Sequence, residues 1–253
     1  MKKNLVYAVA MAGLGTRFTR AGYTLPKYML RAAGATLFEH SLRSLPLEPA
    51  RKIIFIALKE HQERYGLEGF IVSALDGICG GAAFRPDFEL VLLDAPTRGQ
   101  AETVMRAKDA VPPGSGLAIY NIDTRFLSDT LLGKLSGPGK KDGVLGSFKL
   151  AAKDPKWSFA RLGPGGMVLA VAEKIQISDN ALTGLYHFTD AADFFSAAGE
   201  ALAGSAAGEL YVAPLYNTLI AAGREFVLDE ARGITPLGTP EDVEKVKTHG
   251  LDG

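Results

Sequence analysis

Apolar positions in the first half of the chain follow two alternating patterns. Short, almost wholly apolar runs at residues 4–10, 52–58 (KIIFIAL), 89–93 and 116–120 read as strands covered on both faces. Between them, residues 36–45, 68–76 and 100–111 carry helical spacing. In the last, Ala101, Val104, Met105, Lys108 and Val111 form a mostly apolar i, i+3/i+4, i+7 stripe. Alternation of this kind predicts an α/β fold around a mostly parallel, doubly wound sheet. After about residue 140 the texture changes. Strands are expected at 144–148, 168–174 and 182–188, separated by Gly/Pro turns of which Gly163-Pro164-Gly165-Gly166 is the clearest. Helices are expected at 191–203, 211–222 and 240–247. No linker longer than a few residues and no repeat interrupts the pattern. Residues 1–253 therefore read as one domain with two lobes, about 1–140 and a more antiparallel 141–253. Clefts in such folds open at the carboxyl ends of the strands.

The first strand has a rival reading. Met1-Lys2-Lys3, the apolar run to Ala12 and an Ala-x-Ala at 10–12 together mimic an export signal. The run is short for that purpose, and it leads straight into Gly13-Leu14-Gly15-Thr16-Arg17, which has chemical content of its own. Nowhere are there ~18 consecutive apolar residues, so neither a membrane-spanning helix nor membrane insertion is expected. Composition narrows the classes further. With 28 basic and 28 acidic residues the formal net charge is 28 − 28 = 0, which argues against a nucleic-acid or anionic-membrane binder. The chain has 47% hydrophobic and 22% charged residues, the range of soluble globular proteins, and a cytoplasmic location is expected. The single cysteine, Cys79, excludes an internal disulfide and a cysteine-based zinc site. His40, His61, His187 and His249 show no metal-ligand spacing.

The loop Gly13-Leu14-Gly15-Thr16-Arg17-Phe18 leaves the first strand. Glycines let backbone amides approach an anion closely. Arg17 adds a cation with a fork suited to phosphate, and Pro26-Lys27 supplies a second one ten residues later. A dinucleotide fingerprint would need a third Gly or Ala where Phe18 stands, and a P-loop would need Gly-Lys-Ser/Thr. The loop therefore points to a nucleoside triphosphate held in a third manner.

These residues carry a resemblance. The segment from Ala10 to Phe18, then Pro26-Lys27, Gly34 and Glu39-His40, is similar to the signature of sugar-phosphate nucleotidyltransferases, A-A-G-x-G-T-R followed by P-K, a glycine turn and a helix. That family joins a nucleoside triphosphate to a sugar 1-phosphate or related phosphorylated alcohol and releases pyrophosphate. The resemblance implies a Rossmann-like fold of the glycosyltransferase-A type, with a nucleotide-binding lobe at about 1–140 and an acceptor-binding lobe at about 141–253. It further implies that Ala12, Gly13, Gly15, Thr16 and Arg17 hold the triphosphate and that Lys27 acts at the reacting phosphorus. Electrostatic positioning of this kind is what phosphoryl-type transfer needs. The bland alternative for Arg17 and Lys27 is a pair of solvated loop cations.

The resemblance reaches further islands. Leu117 to Asp123 is a strand ending on an acid, and the family's metal-binding aspartate falls on Asp123, which makes it the expected Mg²⁺ ligand. A helix N-cap for a segment near Phe126 is its alternative. Asp123-Thr124-Arg125 lacks the second acid of a glycosyltransferase D-x-D. The family's second metal aspartate, in a D-T-G-T-like turn, is replaced by Pro236 in Thr235–Asp242, and Asp229 and Glu230 nearby read as exposed strand-end charges. Gly99 and Gln100 resemble a base-contacting segment; a glutamine amide both donates and accepts. Glu173 and Lys174 resemble an acceptor-binding E-K pair, although neighbours on a straight strand face opposite ways, so a bulge or strand end is needed there. Gly184 sits in a T-G-x-Y-like segment, and residues 209–217 are a further candidate lining of the acceptor pocket. Trp157 could stack on a ligand or pack in a turn. Arg17, Lys27 and Lys174 around one acid predict a positive pocket in a neutral protein. The expected partners are a nucleoside triphosphate, a phosphorylated small-molecule acceptor and, through the domain's own surface, a second copy of the chain. The implied role is in surface-polysaccharide precursors. A glycosyltransferase-A-like enzyme and a non-catalytic nucleotide-binding relative stay open as alternatives.

Overall fold

The computed structural model describes residues 4–80, 85–137, 141–204 and 208–251. The first half runs from β1 (Leu5–Ala10) through a short helix α1 (Thr16–Arg20), a small hairpin of β2 (Arg31–Ala32) and β3 (Ala35–Thr36), and α2 (Leu37–Leu42). Then come β4 (Ala50–Leu58), α3 (Lys59–Tyr65), α4 (Leu67–Cys79), β5 (Asp87–Leu93), α5 (Gln100–Met105) and β6 (Gly116–Asn121). The second half holds β7 (Thr124–Leu127), α6 (Leu131–Ser136), β8 (Gly143–Lys149), β9 (Ser158–Leu162), β10 (Val168–Glu173) and β11 (Asn180–Phe188). It ends with α7 (Ala191–Gly204), α8 (Leu215–Ala221), β12 (Phe226–Glu230), β13 (Gly233–Pro236) and α9 (Pro240–His249).

Nine strands form one sheet whose path is β10-β9-β11-β6-β1-β4-β5, with β8 on β11 and β12 on β8. β1 lies parallel between β4 and β6, and β5 is parallel to β4. The added strands of the second half pair mostly antiparallel, β11 with both β6 and β8 and β9 with β10. The α/β class, the parallel first half and the antiparallel second half are thus as the apolar pattern predicts. The reason is burial on both faces: Val6 to Val9 and Ile53 to Ala57 have no exposed surface, so their sequence runs apolar without alternation. Tyr7, Val9, Ile53 and Phe55 face one core with Phe38, Leu67 and Ile71. Val6, Ala8, Ile54 and Ile56 face the other with Val104, Phe194 and Tyr216. A smaller cluster packs Leu237, Val243 and Val246 against Phe18, Leu30 and Leu37, and so seats α9 beside α1.

Several elements escape the apolar pattern. α3 buries none of its residues; Glu60–Arg64 at 2.6 Å and Lys59–Glu63 at 3.9 Å support it instead, and a helix without an apolar face leaves no periodic signal. The helix expected over 211–222 begins only at Leu215, because Pro214 biases the residue before it away from helical backbone. The helix expected over 100–111 breaks after Met105 and resumes as a 3-10 turn, Lys108–Ala110. β7 and β13 form a separate two-stranded antiparallel sheet. Among the described residues no helix is long and apolar enough to cross a membrane.

Phe38 is fully buried, with ring centroids 5.3 Å from Phe55 and 5.2 Å from Phe70. Phe38→Ala should cost about 3–5 kcal/mol in urea unfolding, against ~1 kcal/mol for removing the neighbouring helix cap by Thr36→Ala. Equal losses from the two would contradict this packing.

Candidate active site

A cavity of about 640 Å³ opens over the carboxyl ends of β1 and β6, the size of an ordinary small-molecule site. The glycine loop forms one wall. Gly15 has a left-handed backbone at φ 59 and precedes α1. A Cβ built at Gly13 or Gly15 would meet nothing within 4 Å. Packing therefore does not demand glycine at 13, and the space before the loop is open to a ligand. Ala12, Gly13, Leu14, Gly15, Thr16 and Arg17 all line the cavity.

Lys27 opens a 3-10 turn after Pro26, and its Nζ lies 3.1 Å from Asp123 Oδ2. Both side chains line the cavity and are partly exposed. Asp123 caps no helix: β7 starts at the next residue. Its backbone carbonyl accepts from Leu237 N at 2.8 Å, which brings the turn after β13 to the same spot. A Cβ on Gly238 would stand 3.7 Å from Asp123 Oδ2. The turn that resembles D-T-G-T thus faces Asp123, with Pro236 where the family has an acid. Asp242 also lines the cavity, but its Oδ2 accepts from Thr239 N at 3.0 Å as part of the α9 capping box. Asp229 is a correction: it is buried, not exposed, and ties β12 to α6 through Thr130 Oγ1 at 2.6 Å and Lys134 Nζ at 3.0 Å, away from the cavity. Glu230 is exposed, as expected.

Among the described residues no three His, Cys, Asp or Glu side chains come together as a metal cluster. One cavity-facing carboxylate beside an open glycine loop fits a hard cation whose remaining ligands are triphosphate oxygens and water, not one held by protein alone.

The segment before α5 forms the next wall. Gly99 has φ 153, and a Cβ there would stand 2.6 Å from Leu210 O; only glycine lets this loop lie against residue 210. Gln100, the first residue of α5, donates from Nε2 to Asn121 Oδ1. Behind them Glu102 accepts from Arg98 N at 3.0 Å, Arg98 Nε at 2.9 Å and Arg106 Nη2 at 3.0 Å. The backbone hydrogen bond foremost, then the arginines, hold its carboxyl below the usual range.

On the acceptor side, β11 bulges against β8 between Leu182 and Tyr186. Gly184, at φ 88, sits in that bulge, and a Cβ there would lie 2.7 Å from Asn121 Nδ2. Glu173 ends β10, lines the cavity and accepts a hydrogen bond from Ser158 Oγ, which is 3.4 Å from Tyr186 Oη. Burial pushes the Glu173 carboxyl above the usual range, against the Ser158 hydrogen bond and the Lys174 charge. Lys174 resolves the alternation problem by a left-handed backbone, φ 57, just past the strand end. It does not line the cavity. It sits at the rim, with Nζ 4.5 Å from the Tyr211 ring centroid, hydrogen-bonded to the Tyr211 hydroxyl and 3.8 Å from Glu209. Trp157 does both things expected of it, lining the cavity while packing edge-on to Phe148 at 4.9 Å.

The predicted positive pocket is not what forms. Arg17, Lys27, Arg98 and Lys156 line the cavity together with Asp123, Glu173, Glu209 and Asp242, four formal charges of each sign. Some lining residues, Asn121 and Ser158 among them, have no role in the sequence reading. Asn121 is legible as the polar residue at the end of an apolar strand, whereas Ser158 reaches the site through β9's pairing with β10, distant in sequence. Cys79 ends α4, part-buried, with burial raising its thiol pKa, which suits an inert residue.

No protein-family model matches the chain, and no curated protein matches it. Among solved structures, it is similar to a nucleoside-diphosphate-sugar pyrophosphorylase from Vibrio cholerae, at 33% identity over 97% of this chain and 100% of that one, TM-score 0.78. An inositol-1-phosphate CTP transferase from T. maritima aligns over 96% and 93% at 15% identity, TM-score 0.74. A UTP-bound UGPase from Acinetobacter baumannii aligns over 96% and 92% at 14% identity, TM-score 0.67. The last two share the fold.

Because the folded state raises the Glu173 pKa, ionised Glu173 costs stability above that pKa, and the cost disappears as pH falls through it. Glu173→Gln should therefore melt higher than the wild type at neutral pH, the difference shrinking to nothing by about pH 4. A lower melting temperature at pH 7 would reverse the assignment.

Proposed function

The chain belongs to the sugar-phosphate nucleotidyltransferase family, and on that premise we propose that it joins a nucleoside triphosphate to a sugar 1-phosphate or related phosphorylated alcohol, releasing pyrophosphate. The observation that carries this reading is the meeting of Lys27 and Asp123. They are 96 residues apart in sequence and 3.1 Å apart in space, beside an open glycine loop. The 33%-identical relative is itself a nucleoside-diphosphate-sugar pyrophosphorylase.

An oxygen of the acceptor phosphate attacks the α-phosphorus in line. The new P–O bond forms as the bond to the β-phosphate bridging oxygen breaks, and pyrophosphate leaves. The Gly13–Gly15 amides and Arg17 hold the departing group. Lys27 turns from Asp123 to the charge that develops at the α-phosphorus. Such fixed charges aimed at the transition state supply most of the catalysis in this chemistry. Gly99 and Gln100 receive the base. Glu173, with Ser158 behind it, and Gly184 form the acceptor side, and Lys174 meets the acceptor phosphate from the rim. No protein nucleophile is required. Mg²⁺ is the proposed cofactor, held by Asp123 together with the triphosphate; when bound, it neutralises phosphate charge and fixes phosphate geometry. The setting is proposed to be cytoplasmic synthesis of surface-polysaccharide precursors. Pro236 in place of the family's acid favours one second reading, a relative that binds nucleotide without turning it over.

Incubation with Mg²⁺, each nucleoside triphosphate and a panel of sugar 1-phosphates should release pyrophosphate. Nucleotide binding without release across the panel would favour the second reading. Lys27→Ala should lower kcat by about 10²–10³-fold with the melting temperature little changed, since the side chain is part-exposed. An unchanged kcat would remove Lys27 from the mechanism.

A further inference from the structure

Asn121 is the point where the two sides of the cavity touch. It ends β6 opposite Ala10, the last residue of β1 before the glycine loop. Its Oδ1 accepts the hydrogen bond from Gln100 Nε2, on the nucleotide side. Its carboxamide also fills the space that a side chain at residue 184 would need: a Cβ there would stand 2.7 Å from Nδ2 and 3.0 Å from Cγ. Gly184 closes on it from the acceptor side, and its backbone at φ 88 admits no ordinary residue. Asn121 thus sits between a strand bulge and a helix start, and its Oδ1 engages the Nε2 side of the Gln100 amide.

That contact has a chemical consequence. A glutamine amide can read either kind of base edge, because it carries both a donor and an acceptor. Once Nε2 is committed to Asn121, Oε1 is the group left to act; it takes no hydrogen bond from the described residues. Resting on the nucleotidyltransferase reading above, we propose that Asn121 and Gln100 act as one amide pair that selects a nucleotide whose base presents an exocyclic amine, cytosine or adenine. The carbonyl oxygen of Gln100 accepts from that amine. At the same place uracil, thymine or guanine presents a carbonyl, which would leave two acceptors facing each other. Gln100 is the specificity residue, and Asn121 is a positioning residue that acts through it.

The test is equilibrium binding of CTP, ATP, UTP, dTTP and GTP, each with Mg²⁺, to the whole chain by titration calorimetry. CTP or ATP should bind about five- to ten-fold more tightly than UTP, dTTP and GTP, the worth of one hydrogen bond made against one refused. Asn121→Leu keeps the volume but frees the Gln100 amide to turn, so the preference should fall to within about two-fold while nucleotide still binds. Gln100→Leu, at the part-buried start of a helix, should give the same loss if Asn121→Leu fails to fold. Asn121→Asp, which still accepts from Gln100 Nε2, should keep the preference for the amine-bearing bases, which a purely structural role for the pair does not predict. Tighter binding of UTP, dTTP or GTP by the wild type would overturn the proposal, and so would an unchanged preference in both Leu variants. Either result, accompanied by pyrophosphate release, leaves the proposed activity standing. Failure to bind any of the five would remove both.

Discussion

The placement of β1 governs the rest of the molecule. It is buried on both faces and hydrogen-bonded on both edges, to β4 and β6. Its one polar side-chain group, the Tyr7 hydroxyl, is spent on Pro46 O at 2.7 Å, and a further polar side chain there would need a partner of its own, so the strand can contribute chemistry only where it stops. Chain emerging at Ala10 and Asn121 therefore carries candidate site residues: the glycine loop from one, Asp123 from the other. The Lys27–Asp123 contact follows from this alignment, because a parallel pair puts both carboxyl ends on the same side of the sheet. Disturbing the register of β1 would separate the glycine loop from Asp123 before it touched either residue.

The second half completes the site by a different device. β11 runs antiparallel to β6 and shares its other edge with β8, and a bulge between Leu182 and Tyr186 breaks the regular pairing where the cavity passes. Gly184 in the bulge, Gly99 against Leu210 and the left-handed Lys174 at the end of β10 are all places where the backbone departs from ideal geometry beside the same cavity. Strain of this type concentrates where a fold must admit a ligand. The doubly buried strands supply rigidity, and these irregular positions supply shape.

What could be read in the sequence divides along the same line. Doubly buried strands and the glycine loop are local signals, and β1, β4, β6 and the residues at 12–17 lie where the apolar runs and the loop place them. The approach of Lys27 to Asp123 follows from family resemblance more than from spacing, since nothing local links residues 96 apart. Ser158 was out of reach because β9 comes to the site by pairing with β10, and its own five residues include neither a long apolar run nor a turn signal. The place of Asp229 is hidden for the opposite reason. An Asp-Glu pair at the end of a strand reads as solvated, yet Lys134 and Thr130 from α6 arrive to bury one of the two.

The charge balance of the cavity bears on how a polyanion could enter it. A triphosphate brings several negative charges, and four lining cations face four lining acids. Two of those acids are answered within the protein: Asp123 by Lys27, and Asp242 in part by the α9 cap. Glu209 lies near Lys174 at the rim, and burial raises the Glu173 pKa against the opposing Ser158 hydrogen bond and Lys174 charge. Lys27, the cation proposed to act at the reacting phosphate, is thus the one engaged by the acid proposed to hold metal. Releasing it requires a substitute positive charge at Asp123. A divalent cation arriving with the nucleotide is such a substitute, and it would neutralise the carboxylate and the phosphates together. A site with excess positive charge would have no such need. On the proposed function, balance in the cavity would thus tie the release of Lys27 to a cation that arrives with the nucleotide.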